Sequence, residues 1–90
     1  MQNLWEKCLE KLKESIGKLS FDTWISPLNL KEIKENSITL EVPDIFFKQW
    51  LETHYIEKIK EILKEIALKE FKIKLEVNPH LFKRKTNQIF

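Results

Sequence analysis

Aromatic rings are crowded into one stretch, VPDIFFKQWLETHY at residues 42–55, and their chemistry is that of contact surfaces. The rings belong to Phe46, Phe47, Trp50, His54 and Tyr55. Large rings supply contact area at low entropic cost, so exposed ones are typical anchors of protein interfaces. One face of a helix can bury only part of this set. The remainder is either additional core or a surface for a partner.

Helical geometry separates these rings, because successive residues turn by about 100°. With Phe47 at zero, Trp50 falls at about 300° and Leu51 at about 40°, which predicts a compact core stripe. Phe46 falls at about 260°, outside the stripe. The angle leaves two interpretations of Phe46 open. It is an interface anchor, or it packs against the second helix or the turn at Pro43.

The same helical region, from about Asp44 to Leu68, cannot be straight. Its later apolar residues cluster at about 60–160° on the same wheel; they are Tyr55, Ile59, Ile62, Leu63 and Ile66. A straight helix could not bury both stripes against one sheet. We therefore predict a kink, break or bulge near Glu52–His54.

Catalytic and metal-binding patterns are missing from the sequence. Gly17 is the single glycine, which excludes a glycine-rich phosphate loop. No serine has the flanking glycines of a nucleophile turn. His54, His80 and Cys8 lack the spacing of a metal site, so His54 is expected to be a solvated helix residue and Cys8 a small core residue. We expect no enzyme activity, no metal and no cofactor in this part of the protein.

Length and charge indicate one small domain followed by a basic tail. The chain has 90 residues, 42% of them hydrophobic. Of its 16 Lys and Arg, three lie at 83–85, which leaves 13 against 14 acids in residues 1–77. This nearly neutral part does not indicate strong duplex DNA binding. The N-terminus lacks a signal peptide pattern, no run of residues could span a membrane, and the lone cysteine fits a reducing cytosol.

The elements that must position these residues follow from periodicity. Asn3 and Glu6 predict a capping box for a first helix that ends at Gly17, and Ser20 predicts the cap of a short second helix ending before Pro27. Alternation predicts strands at 28–33, 37–42 and 71–77. The order ααββαβ predicts an α+β fold with a three-stranded sheet and helices packed on one face. We place the domain at residues 1–77 and the start of a linker at 78–90.

Two tryptophans lie outside the aromatic stretch. Trp5 shares a helical stripe with Leu9 and Leu12, so core packing is the first interpretation. The alternative is a first-turn apolar patch, formed by Trp5 with Leu4 and Cys8, through which the domain self-associates. Trp24 is expected to be a core plug for the second helix.

Five segments together resemble the N-terminal domain family of DnaA, the bacterial chromosomal replication initiator, over residues 1–77. They are LWEKCLEKL (4–12), FDTWISPL (21–28), SITLEVP (37–43), PDIFFKQWLETHY (43–55) and FKIKLEV (71–77). The resemblance implies a KH-like ααββαβ fold that works by protein–protein contact in the bacterial cytoplasm. The implied partners are the replicative helicase, regulators of initiation and further copies of the initiator. ATP is implied only for a later domain of the full-length protein.

The resemblance also implies roles for particular positions. The family's helicase-contacting aromatic falls on Phe46, and its second helicase-contacting position, an acid in the best-known member, falls on Ser20, with Asp22 close enough to substitute. The family's self-association tryptophan falls on Trp5, with Leu4 and Cys8 as neighbours. A Trp5 ring that is half core and half interface would satisfy both the stripe and the resemblance.

An alternative function is weak binding of single-stranded nucleic acid. It would use three sheet lysines, Lys31, Lys72 and Lys74, with the basic tail. The G-x-x-G loop with which KH domains clamp a nucleic-acid backbone is missing. A third interpretation is a plain dimerisation domain acting through Trp5.

Overall fold

A computed structural model describes residues 2–81 of the chain. Its elements are α1 (Gln2–Ile16), α2 (Lys18–Ser20) continuing into a π-helical turn (Phe21–Ile25), β1 (Asn29–Ile33), β2 (Ser37–Val42), α3 (Ile45–His54), α4 (Ile56–Ala67) and β3 (Lys72–Val77). The predicted α+β class and element order are confirmed, with the long helical region divided into α3 and α4. Most of the linker predicted for 78–90 lies outside the described residues, and the boundary at residue 77 stays a prediction. Leu81 is buried.

The sheet has the order β1-β2-β3, with β2 antiparallel to β1 and parallel to β3. Central strand β2 places Ile38, Leu40 and Val42 in the core, each fully buried. Alternation then leaves Ser37, Thr39 and Glu41 on the opposite face. Helices pack against the apolar face, and the core draws on α1, the π turn, β2, α3 and α4.

A β-bulge in β1 explains why its apolar residues do not alternate. Leu30 lies opposite Leu40, whereas Ile33 lies opposite Ile38, so Lys31 is one extra residue on the β1 side. A one-residue insertion moves every later side chain of a strand to the opposite face. The insertion of Lys31 therefore brings Ile33 to the same face as Leu30. Leu30 and Ile33 therefore both pack against the core.

Two predicted helix caps are wrong. α1 already includes Gln2, so Asn3 lies inside the helix rather than at its N-cap. Ser20 has helical backbone angles, φ −64° and ψ −38°, and its side chain makes no capping hydrogen bond. A capping residue needs a non-helical backbone, and here the helical path runs unbroken from Lys18 into the π turn. Gly17, with φ 89°, provides the left-handed residue between α1 and α2.

The predicted break in the long helical region is confirmed at Tyr55, one residue beyond the predicted interval. Tyr55 has φ −126° and ψ −20°, yet its N–H still donates to the Leu51 carbonyl at 2.9 Å and its carbonyl accepts from the Ile59 N–H at 2.9 Å. Hydrogen bonding thus continues across a change of direction. On one side α3 buries Phe47 and Leu51, and on the other α4 buries three residues, Ile59, Ile62 and Leu63.

Asp44 fixes the start of α3, since its carboxylate accepts a hydrogen bond from the Phe47 N–H at 2.8 Å. We predict that Asp44→Ala lowers the free energy of unfolding by about 1 kcal/mol, because an orphan N–H loses its partner. Asp44→Asn keeps an accepting oxygen and should lie within a few tenths of a kcal/mol of the wild type. Urea unfolding of the two variants measures the difference. Equal losses would contradict the capping role.

Leu68 ends α4 in the left-handed conformation, with φ 58° and ψ 33°, and its side chain is 87% exposed. A non-glycine residue in this region costs about 1 kcal/mol, and an exposed side chain contributes little packing to offset it. We predict that Leu68→Gly raises the free energy of unfolding by about 0.5–1 kcal/mol, measured by thermal or urea unfolding. Leu19→Gly is the matched control. Leu19 is equally exposed but lies in α2, so its replacement by glycine should destabilise the fold.

Candidate functional site

Four side chains from two elements form an aromatic patch, defined here as Trp24, Phe46, Trp50 and His54. Trp24 stacks on Trp50, with ring centroids 4.8 Å apart and planes 17° apart. Trp50 in turn contacts the His54 ring at 4.0 Å between centroids. The patch rests on the core through Phe47, whose ring lies 5.1 Å from that of Trp24. Stacking of this kind holds the Trp24, Trp50 and His54 rings in one arrangement before any partner arrives.

The aromatic patch is open to solvent. Phe46 is 78% exposed and Trp50 is 40% exposed. Together with Phe47 and three polar residues, Asp44, Gln49 and Thr53, the patch lines a shallow cavity of about 450 Å³. Apolar rings with a polar rim have the composition of a protein-binding hot spot.

Local structure explains how the rings come together. Phe46, Trp50 and His54 are spaced four residues apart on α3, so they lie on one face of the helix. Trp24 is supplied by the π turn, in which the Ser26 N–H donates to the Phe21 carbonyl at 2.9 Å, five residues back. Turns of this type are rare and occur frequently at functional sites.

The structure corrects part of the predicted arrangement. Phe46 is 78% exposed, so it is not a core residue, and its role as an interface anchor stays a prediction. Trp50 was expected in the core stripe but is substantially exposed, and Trp24 is half-buried rather than a core plug. His54 is exposed as expected, yet it also stacks on Trp50. The spacing of four residues from Phe46 to Trp50 to His54 was the signal in the sequence that could have identified all three.

Ser20 and Asp22 lie on the helical segment that leads to Trp24. Ser20 is half-buried, and the exposed Asp22 carboxylate pairs with the Lys18 ammonium at 3.0 Å. Within the described chain, the lining of the cavity includes neither residue. An exposed pair one helical turn apart is weak, so Asp22 can exchange Lys18 for another cation at little cost.

The Trp5 set is mostly core. Trp5 is 6% exposed and Cys8 is fully buried, which agrees with core packing, the first interpretation of Trp5. The ring is not half open to a partner, and its role in self-association stays a prediction. Both side chains share the core with Leu12, because α1 turns this stripe toward the interior. Burial raises the pKa of the Cys8 thiol to about 12, so the thiol stays neutral at physiological pH. Leu4, which is half-buried, is the accessible member of the set.

The three sheet lysines share the face away from the helices with acids. Lys31 donates to Glu76 at 2.7 Å, and this hydrogen bond and the Glu76 charge raise the pKa of the Lys31 ammonium. Register places Lys74 beside Thr39 and Glu76 beside Glu41. The lysines therefore do not form the uniformly basic surface that nucleic-acid backbones require.

Other chemistry finds no support in the described part of the chain. Across residues 2–81, no three His, Cys, Asp or Glu side chains are grouped so that they could hold a metal ion. None of the helices in this range combines the length and apolarity needed to cross a membrane. The described part of the chain does carry the stacked aromatic patch.

Comparisons with known proteins identify the family of the chain. A family model described as the DnaA N-terminal domain matches residues 2–65. The chromosomal replication initiator protein DnaA of Flavobacterium psychrophilum is 34% identical over 79 residues, covering 83% of this chain and 16% of that protein. Those of Thermodesulfovibrio yellowstonii and Chlorobaculum tepidum are each 32% identical, covering 82% and 80% of this chain and 17% and 15% of theirs. The chain thus spans about one sixth of these relatives, and it belongs to the DnaA N-terminal domain family.

Proposed function

We propose that this domain is a non-enzymatic interaction module of a chromosomal replication initiator, and that its aromatic patch binds the replicative helicase for loading at the origin. The observation that carries the proposal is Phe46. It is a large apolar ring, 78% exposed, beside rings that are already stacked in place. The stacked rings beside Phe46 are preorganised, so they lose little entropy when a partner covers them.

A protein partner suits the aromatic patch better than a nucleic acid does. Single-strand binders combine stacking rings with a positively charged groove. Among the described residues that line this cavity there is no Lys or Arg, and Asp44 is an acid. Phosphates would therefore meet no counter-charge beside the rings. On the sheet, the lysines are interspersed with Glu41 and Glu76.

Regulators of initiation are proposed to use the same patch, in the cytoplasm, since one exposed aromatic surface can serve several proteins in turn. Helicase and regulator would then compete for Phe46. Self-association through α1 is proposed to depend on Leu4, because Trp5 and Cys8 are buried. ATP binding and hydrolysis are expected in the remainder of the longer initiator.

We predict that Phe46→Ala weakens binding of the replicative helicase by about 2 kcal/mol, roughly thirtyfold in the dissociation constant. The fold should be retained, because a ring that is 78% exposed contributes little to the core. Binding is measured by surface plasmon resonance with immobilised helicase, alongside melting curves of both variants.

Leu68→Gly is the matched control, since it removes an equally exposed apolar side chain outside the patch. It should leave helicase affinity unchanged. If Phe46→Ala binds as tightly as the wild type, the aromatic patch is not the helicase site. If its melting temperature falls with its affinity, Phe46 supports the fold rather than the contact.

A further inference from the structure

β3 is an edge strand with one side unpaired in the described chain. β2 occupies its other side, and no strand within residues 2–81 adds to the free one. The Lys72 N–H donates to the Asn36 carbonyl and the Asn78 N–H to the Val42 carbonyl, so the even-numbered residues direct their backbone groups toward β2. By alternation, the N–H and C=O groups of Ile73, Leu75 and Val77 point away from the sheet.

The side chains of β3 divide between two faces. Ile73, Leu75 and Val77 lie beside Ile38, Leu40 and Val42 on the apolar face, while Lys72, Lys74 and Glu76 lie on the other face. Val77 is 42% exposed, and Ile73 and Leu75 are half-buried. The free edge therefore carries an incompletely covered apolar row beside a row of alternating charge.

We propose that a second copy of this domain pairs with the free edge, β3 against β3 in antiparallel orientation, with Leu75 opposite Leu75 at the two-fold axis. The outward backbone groups of Leu75 would then bond to their own counterparts. The outward backbone groups of Ile73 would bond to those of Val77 of the second copy, and the groups of Val77 to those of Ile73 of the second copy. Six strands would form one continuous sheet.

Charge complementarity selects this register. With Leu75 on the axis, Lys74 lies opposite Glu76 of the second copy, twice by symmetry. Moving the axis to residue 74 places Lys74 opposite Lys74, and this like-charge pair offsets the two Lys72–Glu76 pairs that the same register forms. Moving the axis to residue 76 places Glu76 opposite Glu76 and forms no opposite-charge pair. Like charges directly opposite one another on a sheet are destabilising. Axes that fall between two residues fail because they oppose residues whose backbone groups point in different directions. An axis at residue 73 places Lys72 opposite Lys74 twice, and an axis at residue 77 leaves Glu76 opposite the neutral Asn78.

Glu76 can serve both contacts, since a carboxylate has two oxygens and Lys31 uses Oε1. The apolar face favours the same register, because Ile73 meets Val77 of the second copy and Leu75 meets Leu75. β1, the other edge, is a poorer template, because the bulge at Lys31 interrupts its hydrogen-bonding pattern.

This pairing goes beyond the proposed function. It uses neither the aromatic patch nor the first turn of α1, so loss of the β3 contact would leave helicase binding in place. Loss of helicase binding on Phe46→Ala would likewise leave the β3 contact in place. The two proposals can therefore fail separately.

Sedimentation velocity of the 90-residue chain, over a concentration series that reaches millimolar, tests the pairing. The wild type should shift from monomer to dimer. Lys74→Glu places acid opposite acid and should raise the dimer dissociation constant by about tenfold or more. Glu76→Lys places lysine opposite lysine and should raise the dimer dissociation constant by a similar factor. An equal mixture of these two variants restores both opposite-charge pairs, as does the double variant, so each should recover dimerisation.

Lys72→Glu is the matched control, because it makes the same charge change on the same face of the same strand. In the proposed register Lys72 lies opposite the neutral Asn78, so this variant should dimerise as the wild type does. Melting curves confirm that every variant is folded. A wild type that stays monomeric would overturn the proposal. So would equal effects of Lys72→Glu and Lys74→Glu, or a double variant that fails to recover.

Discussion

The apolar stripes of α3 and α4 point in directions that differ by about a quarter turn, and the change of direction at Tyr55 lets one small core accept both. Because the path turns there, α4 buries Ile59 and Leu63 while α3 buries Leu51. The rings on the neighbouring face of α3 then have no core to enter. Phe46 and Trp50 thus stay outside the core, and Trp50 stacks on Trp24.

The two layers of the fold carry different chemistry. The helical side presents the aromatic patch, with polar groups at its rim and no cation in the described lining. The outer face of the sheet mixes lysines with glutamates, and its centre is dense enough that Thr39 is 4% exposed. The apolar patch and the mixed charges therefore lie on separate surfaces.

Sequence periodicity was sufficient for the strands, for the element order and for the change of direction near residue 55. These features are set by alternation and helical angle, which are local. The capping role of Ser20 was wrongly predicted because several residue types can begin a helix. Only the backbone shows that the helix has already started at Lys18. Trp50 was wrongly predicted to be buried, because a helical wheel gives the direction of a side chain but not how much of it neighbouring residues cover. Whether a ring at the margin of the stripe is covered depends on Trp24, which arrives from a distant part of the chain.

The bulge at Lys31 has a consequence for assembly. A sheet with two regular edges can add copies without limit and grow into fibres, whereas this sheet has one regular edge and one interrupted edge. If β3 takes up a second copy, the resulting sheet is bounded on both sides by the bulged strand. The one extra residue in β1 would thus stop growth of the sheet after two copies.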